Sequence, residues 1–420
     1  MSTTGRPTLT PALSLHQPAP AVRTEGEGGD AIERASRTMS ATAGAQLPAR
    51  IRVVISGGGT GGHTSAGLAV AAALRQRGVA DLHWIGSRGG IEASRVPAAG
   101  LPFHAIQVGK LRRYWDWKNL TDLGLRVPAG LAQSWRLLRR LRPSVLFVTG
   151  GFVALPPALA ARSLRIPIVV HEQTASAGLA NRVAGRFARR IALTFPLAGN
   201  DFPASRITIT GNPIRPELAG GSREEACRLF GLDPALPIVY VTGGSQGAHR
   251  INRVAGEALP DLLALAQVVH QCGDNPETGD LGWLTERARA LPPALRSRYV
   301  LAAYLGAELR HLYAAAELVV GRSGAGTVNE CCHLGRPAVY VPLPGASGDE
   351  QAANARLVEA AGGAVLLPQV ALNPGGLVEV VGKLLADRHA LRQMGERARA
   401  LAIPDAAERI ARLIVESAAP

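Results

Sequence analysis

Twice in this chain a short β-branched run passes straight into a glycine-rich turn and then into a helical stretch. No other feature constrains the fold as strongly. The first copy reads Ser56-Gly57-Gly58-Gly59-Thr60-Gly61-Gly62-His63 and the second Thr242-Gly243-Gly244-Ser245-Gln246-Gly247-Ala248. Glycines let the backbone turn where a Cβ would clash, and they leave amide N–H groups and a helix N-terminus open to an anion. Both loops are therefore expected to cradle a phosphate or an oxyanion.

Around these loops the pattern alternates between apolar runs and Ala/Leu-rich helical segments, the mark of βαβ units on a parallel sheet. Strands are expected at Ile51 to Ser56, Leu82 to Ile85, Val145 to Val148, Ile166 to Val170 and Ile191 to Thr194. After a break at Gly211-Asn212-Pro213 they resume at Pro237 to Val241, Gln267 to His270, Tyr299 to Ala302, Leu318 to Val320 and Ala338 to Val341. The chain has 420 residues, 47% of them hydrophobic, enough for two cores. The expected division is residues 50–211 as one Rossmann-like half, 212–390 as the second, and 391–420 as terminal helices with a break at Pro404. Residues 1–49, rich in small and polar residues, read as a disordered extension, with Met39 a candidate natural start.

The net charge of +14 would suit an anionic partner. Of the 46 basic residues, however, all but Lys110, Lys118 and Lys383 are arginines spread along the chain. Such a bias requires no polyanion, and nucleic acid is not expected as a partner. Cys227, Cys272, Cys331 and Cys332 form no Cys-x-x-Cys pair, which fits a reduced protein without structural zinc. The longest uncharged run, Val145 to Ala161, is interrupted by Gly150-Gly151 and Pro156-Pro157, so no spanning helix is expected.

Gly57, Gly59 and Gly62 satisfy Gly-x-Gly-x-x-Gly, but a nicotinamide site also needs an acid after the second strand, where Gly86-Ser87-Arg88 stands instead. A third cluster, Arg322-Ser323-Gly324-Ala325-Gly326-Thr327-Val328-Asn329-Glu330, again follows a strand and enters a helix. Glu330 could accept hydrogen bonds from both hydroxyls of a ribose, or be an exposed helix charge. Its place at a strand's carboxyl end favours the ligand.

Taken in order, Gly-Gly-Gly-Thr-Gly-Gly-His (57–63), Gly-Lys-Leu-Arg-Arg-Tyr (109–114), His-Glu-Gln (171–173), Gly-Asn-Pro-Ile-Arg (211–215), Gly-Gly-Ser-Gln-Gly-Ala (243–248), Ser-Gly-Ala-Gly-Thr-Val-Asn-Glu (323–330) and Glu-Gln-Ala-Ala-Asn-Ala (350–355) closely resemble the MurG family. Those enzymes convert lipid I to lipid II in peptidoglycan synthesis. The resemblance implies a GT-B fold, with two doubly wound domains facing across a cleft and the last helix crossing back. It places UDP-N-acetylglucosamine (UDP-GlcNAc) on the second domain. Ala325, Gly326, Thr327, Val328, Asn329 and Glu330 would take ribose and phosphates, Ser245 and Arg215 the diphosphate, the Leu305 backbone the uracil, and Gln351 the sugar. Thr60, Gly61 and Gly62 would approach the sugar from the opposite wall, with Thr174 also among the donor-binding positions.

The α-linked donor and the family's β-linked product imply one in-line displacement with inversion, which needs a base. His63 is the candidate, its ordinary pKa suiting proton abstraction near neutrality; a backbone-holding loop histidine is the alternative. His171 and Glu172 are the competing pair, structural or acceptor-positioning. Lys110, Arg112 and Arg113, beside Tyr114 and Trp115, form a basic stretch suited to an acceptor pyrophosphate. Backbone amides and Arg215 would carry the leaving-group charge, so no metal is required, although a divalent cation could stimulate. Leu120 to Arg142 interleaves Leu120, Leu123, Leu125, Val127, Leu131, Trp135, Leu138 and Leu141 with arginines, with Pro128 breaking the segment. That fits either an interfacial surface on anionic lipid or an ordinary helix with its apolar face inward. The expected location is peripheral, at the cytoplasmic face of a bacterial plasma membrane, with undecaprenyl-pyrophosphate-linked lipid I as acceptor.

The chain departs from the family pattern at Ala66, commonly proline, at Thr174, often asparagine, and at Glu350, where a second glutamine is usual. These cleft-facing positions leave open a related glycolipid synthase, a nucleotide-sugar epimerase, or a non-catalytic nucleotide-sugar-binding paralogue.

Overall fold

The computed structural model describes residues 51–109, 126–196, 201–345 and 349–419. Lys110, Arg112 and Arg113, their neighbours up to Leu125, and the extension at residues 1–49 lie outside them. The first sheet contains β1 (Arg52–Gly57), β2 (Asp81–Ser87), β3 (Phe103–Ile106), β4 (Val145–Gly150), β5 (Ile168–Glu172), β6 (Arg190–Leu193) and β7 (Ile207–Ile209). The second contains β8 (Ile238–Thr242), β9 (Gln267–Gln271), β10 (Tyr299–Ala302), β11 (Leu318–Gly321), β12 (Ala338–Tyr340) and β13 (Ala364–Leu366). Their orders, β3-β2-β1-β4-β5-β6-β7 and β10-β9-β8-β11-β12-β13, reverse in the same way at β1/β4 and at β8/β11.

Every strand pair is parallel, and the central strands are buried on both faces, which is why they read as unbroken apolar runs. Ile55 pairs with Trp84, the largest fully buried side chain, whose indole N–H donates to the Gly57 carbonyl at 3.2 Å. One core on the first sheet gathers Val53, Ile55, Leu74 and Phe147, and a second on the opposite face gathers Val54, Leu146, Val170 and Leu138. The second lobe is built on one larger core around β8, β11 and β12.

Helix Ala406–Ala418 places Ile410, Ala411, Leu413 and Ile414 in the first sheet's core, so the chain's end returns to the first lobe. Arg77 pairs with Glu408, and Arg189 donates to the Ala419 carbonyl at 2.8 Å. Gly211, at φ +79°, turns the chain between the lobes directly beside Ile403. The described residues, from Ile51 onward, belong to one compact unit.

Pro128 does not break a helix; it opens one. Helix Val127–Leu141 carries it in the first turn, where its missing N–H costs nothing and its fixed φ is already helical. Leu138 is completely buried, and Leu131, Trp135 and Leu141 pack on the first lobe's core. Of the two sequence alternatives for this segment, the described part therefore turns its apolar face inward and leaves Arg136, Arg139 and Arg140 exposed. No helix among the described residues is long and apolar enough to cross a membrane.

Candidate active site

Both glycine loops lie where the strand order reverses, at the carboxyl edge at which open α/β sheets take ligands. The cleft between the lobes holds a cavity of about 210 Å³. Gly61, Gly62, Ser65 and Arg95 line it from the first lobe, and Arg215, Ser245, Leu305, Gly326, Thr327 and Glu330 from the second. A second cavity of about 490 Å³ shares Gly244 and Thr327 with it and reaches Gln351, Arg250, Arg322 and Gln369. Residues from Arg215 to Gln351, far apart in the chain, thus line two adjoining cavities, the first of them between the lobes.

In the first cavity, Arg215 Nη2 pairs with Glu330 Oε1 at 3.1 Å, and the Tyr313 hydroxyl donates to Glu330 Oε2 at 2.8 Å. Burial opposes the charged form of Arg215, but Glu330 outweighs it and the guanidinium is held above its ordinary value. A ribose approaching Glu330 must share or displace these two partners. Arg322 was not singled out in the sequence as a ligand. Its guanidinium donates to the Val341 carbonyl (3.0 Å) and to Gln369 Oε1 (2.7 Å), and burial lowers it to about 10. Held by neutral acceptors, it leaves the second cavity positive. Tyr240, Tyr304 and Tyr313 also line the first cavity and were missed, because single residues outside a glycine motif carry no local signal; Asn212, within the Gly-Asn-Pro-Ile-Arg stretch, lines it too.

His63 sits in the first turn of helix Gly61–Gln76, is partly buried, and lines neither cavity itself, whereas Gly61, Gly62 and Ser65 of the same helix line the first. Its Nδ1 lies 2.8 Å from the Thr149 carbonyl. A carbonyl only accepts, so Nδ1 carries the hydrogen and Nε2 keeps the lone pair a base needs. Burial pulls the imidazole below 6.5, against Glu172, the Thr149 hydrogen bond and Glu92, so the ring is neutral at neutral pH.

His171 is completely buried, its Nε2 donating to the Gly211 carbonyl at 3.2 Å, and burial pushes it down to about 4. Glu172 accepts from the N–H groups of Gln173 (2.9 Å), Thr174 (3.2 Å) and Gly178 (3.0 Å), from the Thr174 hydroxyl (2.8 Å) and from Asn181 Nδ2 (2.9 Å). With both carboxylate oxygens occupied, Glu172 organises the loop after β5 and reaches neither cavity. Thr174 likewise turns its hydroxyl toward Glu172 and the Ser176 carbonyl, away from both cavities. Val328 is completely buried, Asn329 Nδ2 donates to the Ala325 and Gln173 carbonyls, and Thr60 is exposed at the helix start. The first loop is also not a free anion cradle throughout: the Gly59 N–H is taken by the chain's own Glu92 at 3.2 Å.

Two doubly wound lobes facing across a glycine-lined cleft make a GT-B fold, the class to which glycosyltransferases of this kind belong. Residues 53–193 match the glycosyltransferase family 28 N-terminal domain, and residues 238–410 its C-terminal domain. Relatives named UDP-N-acetylglucosamine–N-acetylmuramyl-(pentapeptide) pyrophosphoryl-undecaprenol N-acetylglucosamine transferase are 41% identical over 375 residues in Halorhodospira halophila and 38% over 372 in Moorella thermoacetica. Each alignment covers 87% of this chain, and it covers 98% and 99% of the relatives respectively. The crystal structure of Acinetobacter baumannii MurG superposes with a TM-score of 0.67 at 28% identity, over 87% of this chain and 99% of that one. The chain belongs to the MurG family. A Neisseria meningitidis UDP-GlcNAc 2-epimerase superposes at 0.63 with 13% identity, a likeness of fold alone.

Proposed function

We propose that the chain transfers N-acetylglucosamine from UDP-GlcNAc to lipid I, forming lipid II, by a single inverting displacement. The observation that carries this is the first cavity, in which the Arg215–Glu330 pair lines the wall opposite Gly61 and Gly62 of the loop that leads into His63, with Gln351 in the adjoining cavity. The uridine end belongs against Leu305 and Glu330, the diphosphate between Ser245 and Thr327, and the sugar toward Gln351. His63 Nε2 takes the acceptor hydroxyl proton as the oxygen attacks the anomeric carbon, and the electron pair of the breaking C1–O bond leaves with UDP. Arg215 and the loop amides offset the charge on the departing diphosphate, so no tightly held metal is needed.

Association with the cytoplasmic face of the membrane is read as electrostatic. The arginines exposed on helix Val127–Leu141 fit an anionic lipid surface, whereas the helix's apolar side is spent on the core. Salt-sensitive co-sedimentation with anionic vesicles tests this; equal binding to neutral vesicles rejects it.

The deciding experiment offers purified protein UDP-GlcNAc with lipid I or with diacylglycerol, each with and without EDTA. Transfer to lipid I alone, largely retained in EDTA, is expected. Transfer to diacylglycerol instead would identify a glycolipid synthase, and absence of transfer to either would reject the proposal.

A further inference from the structure

Glu92 is the first residue of helix Glu92–Ala98 and is completely buried. Its Oε2 accepts the Gly59 N–H at 3.2 Å, and its Oε1 accepts the Ser87 N–H at 3.0 Å and the Ser87 hydroxyl at 2.6 Å. The carboxyl group lies so close beneath the turn that a Cβ on Gly58 or Gly90 would collide with it. All three donors are neutral. These donors need an acceptor at both oxygens, which a carboxylate supplies and a glutamine amide, with its NH2, does not. The charge that comes with this acceptor lies beneath the turn that leads into His63.

His63 follows the turn that Glu92 holds. Its ring and Asn181 Nδ2 both crowd Gly150, and Asn181 Nδ2 donates to Glu172, which is also buried and bound by neutral donors at the end of β5. The other titratable group bearing on the ring is His171, which is neutral, and the cleft wall beside its helix carries Arg95 and the Arg215–Glu330 pair. We infer that Glu92 is a positioning residue for the transfer step. Its carboxylate fixes the turn that delivers His63 to the acceptor hydroxyl and, together with Glu172, offsets the imidazolium formed when Nε2 takes the proton. Both carboxylates raise the proton affinity of His63 against the burial that lowers it. The inference rests on the proposed role of His63 as base.

Glu92→Gln in the full chain tests it through two readouts, the NMR titration of the His63 ring and the pH profile of transfer. Removing the charge should move the His63 midpoint down by at least ~0.5 pH unit, and the acid limb of kcat/KM should follow. The plateau kcat should fall at least ~10-fold while the KM for UDP-GlcNAc stays within about threefold, since the donor site lies mainly on the other lobe. A midpoint and acid limb equal to wild type would reduce Glu92 to a brace and overturn the inference. Should the Gln variant fail to fold, Glu92→Asp decides: a midpoint and acid limb lowered from wild type, as the charge is drawn back from the ring, support the inference, and ones equal to wild type refute it. Wild-type protein that transfers nothing to lipid I would sink the functional reading instead, and the titration would still show whether the charge of Glu92 reaches His63.

Discussion

In the proposed mechanism His63 serves the acceptor and Glu330 the donor, so their variants should fail in different ways. His63→Ala should lower kcat by about 100-fold or more, the usual contribution of a general base, with UDP-GlcNAc affinity unchanged. Isothermal calorimetry beside steady-state kinetics separates the two, and a turnover close to wild type would remove His63 from the mechanism. Because burial holds the ring below 6.5, the base is already unprotonated at neutral pH, so the acid limb of kcat/KM should lie below 6.5 and activity should be flat above it. Glu330→Gln should act on the donor alone. It removes a ribose acceptor and leaves Arg215 without its carboxylate partner, so UDP binding should weaken by about 1–3 kcal/mol with little effect on the acceptor KM. An unaltered UDP affinity would reject the ribose assignment.

Among the elements, helix Ala406–Ala418 makes the clearest demand. Its Ile414 is completely buried in the first lobe's core, although it lies far from that lobe in sequence. Ile414→Ala should cost about 2–5 kcal/mol in urea unfolding, as large-to-small changes in tight cores do. A loss below ~0.5 kcal/mol would mean that the helix does not dock in solution. Elements of this kind also mark how far the sequence can be read. The central strands were visible because burial on both faces makes them continuous apolar runs. β3, β7 and β13 were not, and each is a short edge strand: β7 is mostly exposed, with Ile209 37% accessible, and leaves little apolar signal. At the site the glycine loops were legible, because a tight strand-to-helix turn restricts which residues can occupy it. Glu92 was not, since a lone glutamate gains meaning only when the turn into its helix brings it beneath Gly59.

The two lobes meet through buried polar contacts as well as the apolar ones of Ala175, Phe195 and the returning C-terminal helix. Asn354 is completely buried; its Oδ1 accepts the Ala175 N–H at 2.8 Å, and its Nδ2 donates to the Ser323 carbonyl at 3.0 Å. Ser323 in turn donates to the Gln351 carbonyl at 2.7 Å, so one side chain ties the loop after β5 to the helix that carries Gln351. At the other end of the cleft, Arg95 Nη2 donates to the Tyr304 hydroxyl at 3.2 Å, but both residues there are solvent-accessible and the contact is weak. Asn354→Ala would leave the Ala175 N–H and the Ser323 carbonyl buried and unpaired, a cost of about 1–3 kcal/mol for each group that water cannot reach. Separating the lobes relieves the first of these, so the variant should favour an open cleft. UDP, which the proposed function places mainly on the second lobe, should still bind within a few-fold of wild type. Transfer needs both walls and should fall by at least ~10-fold, the equivalent of about 1.4 kcal/mol. Equal losses in UDP binding and in transfer would show that Asn354 shapes the donor pocket itself and that the lobes do not depend on it for their approach.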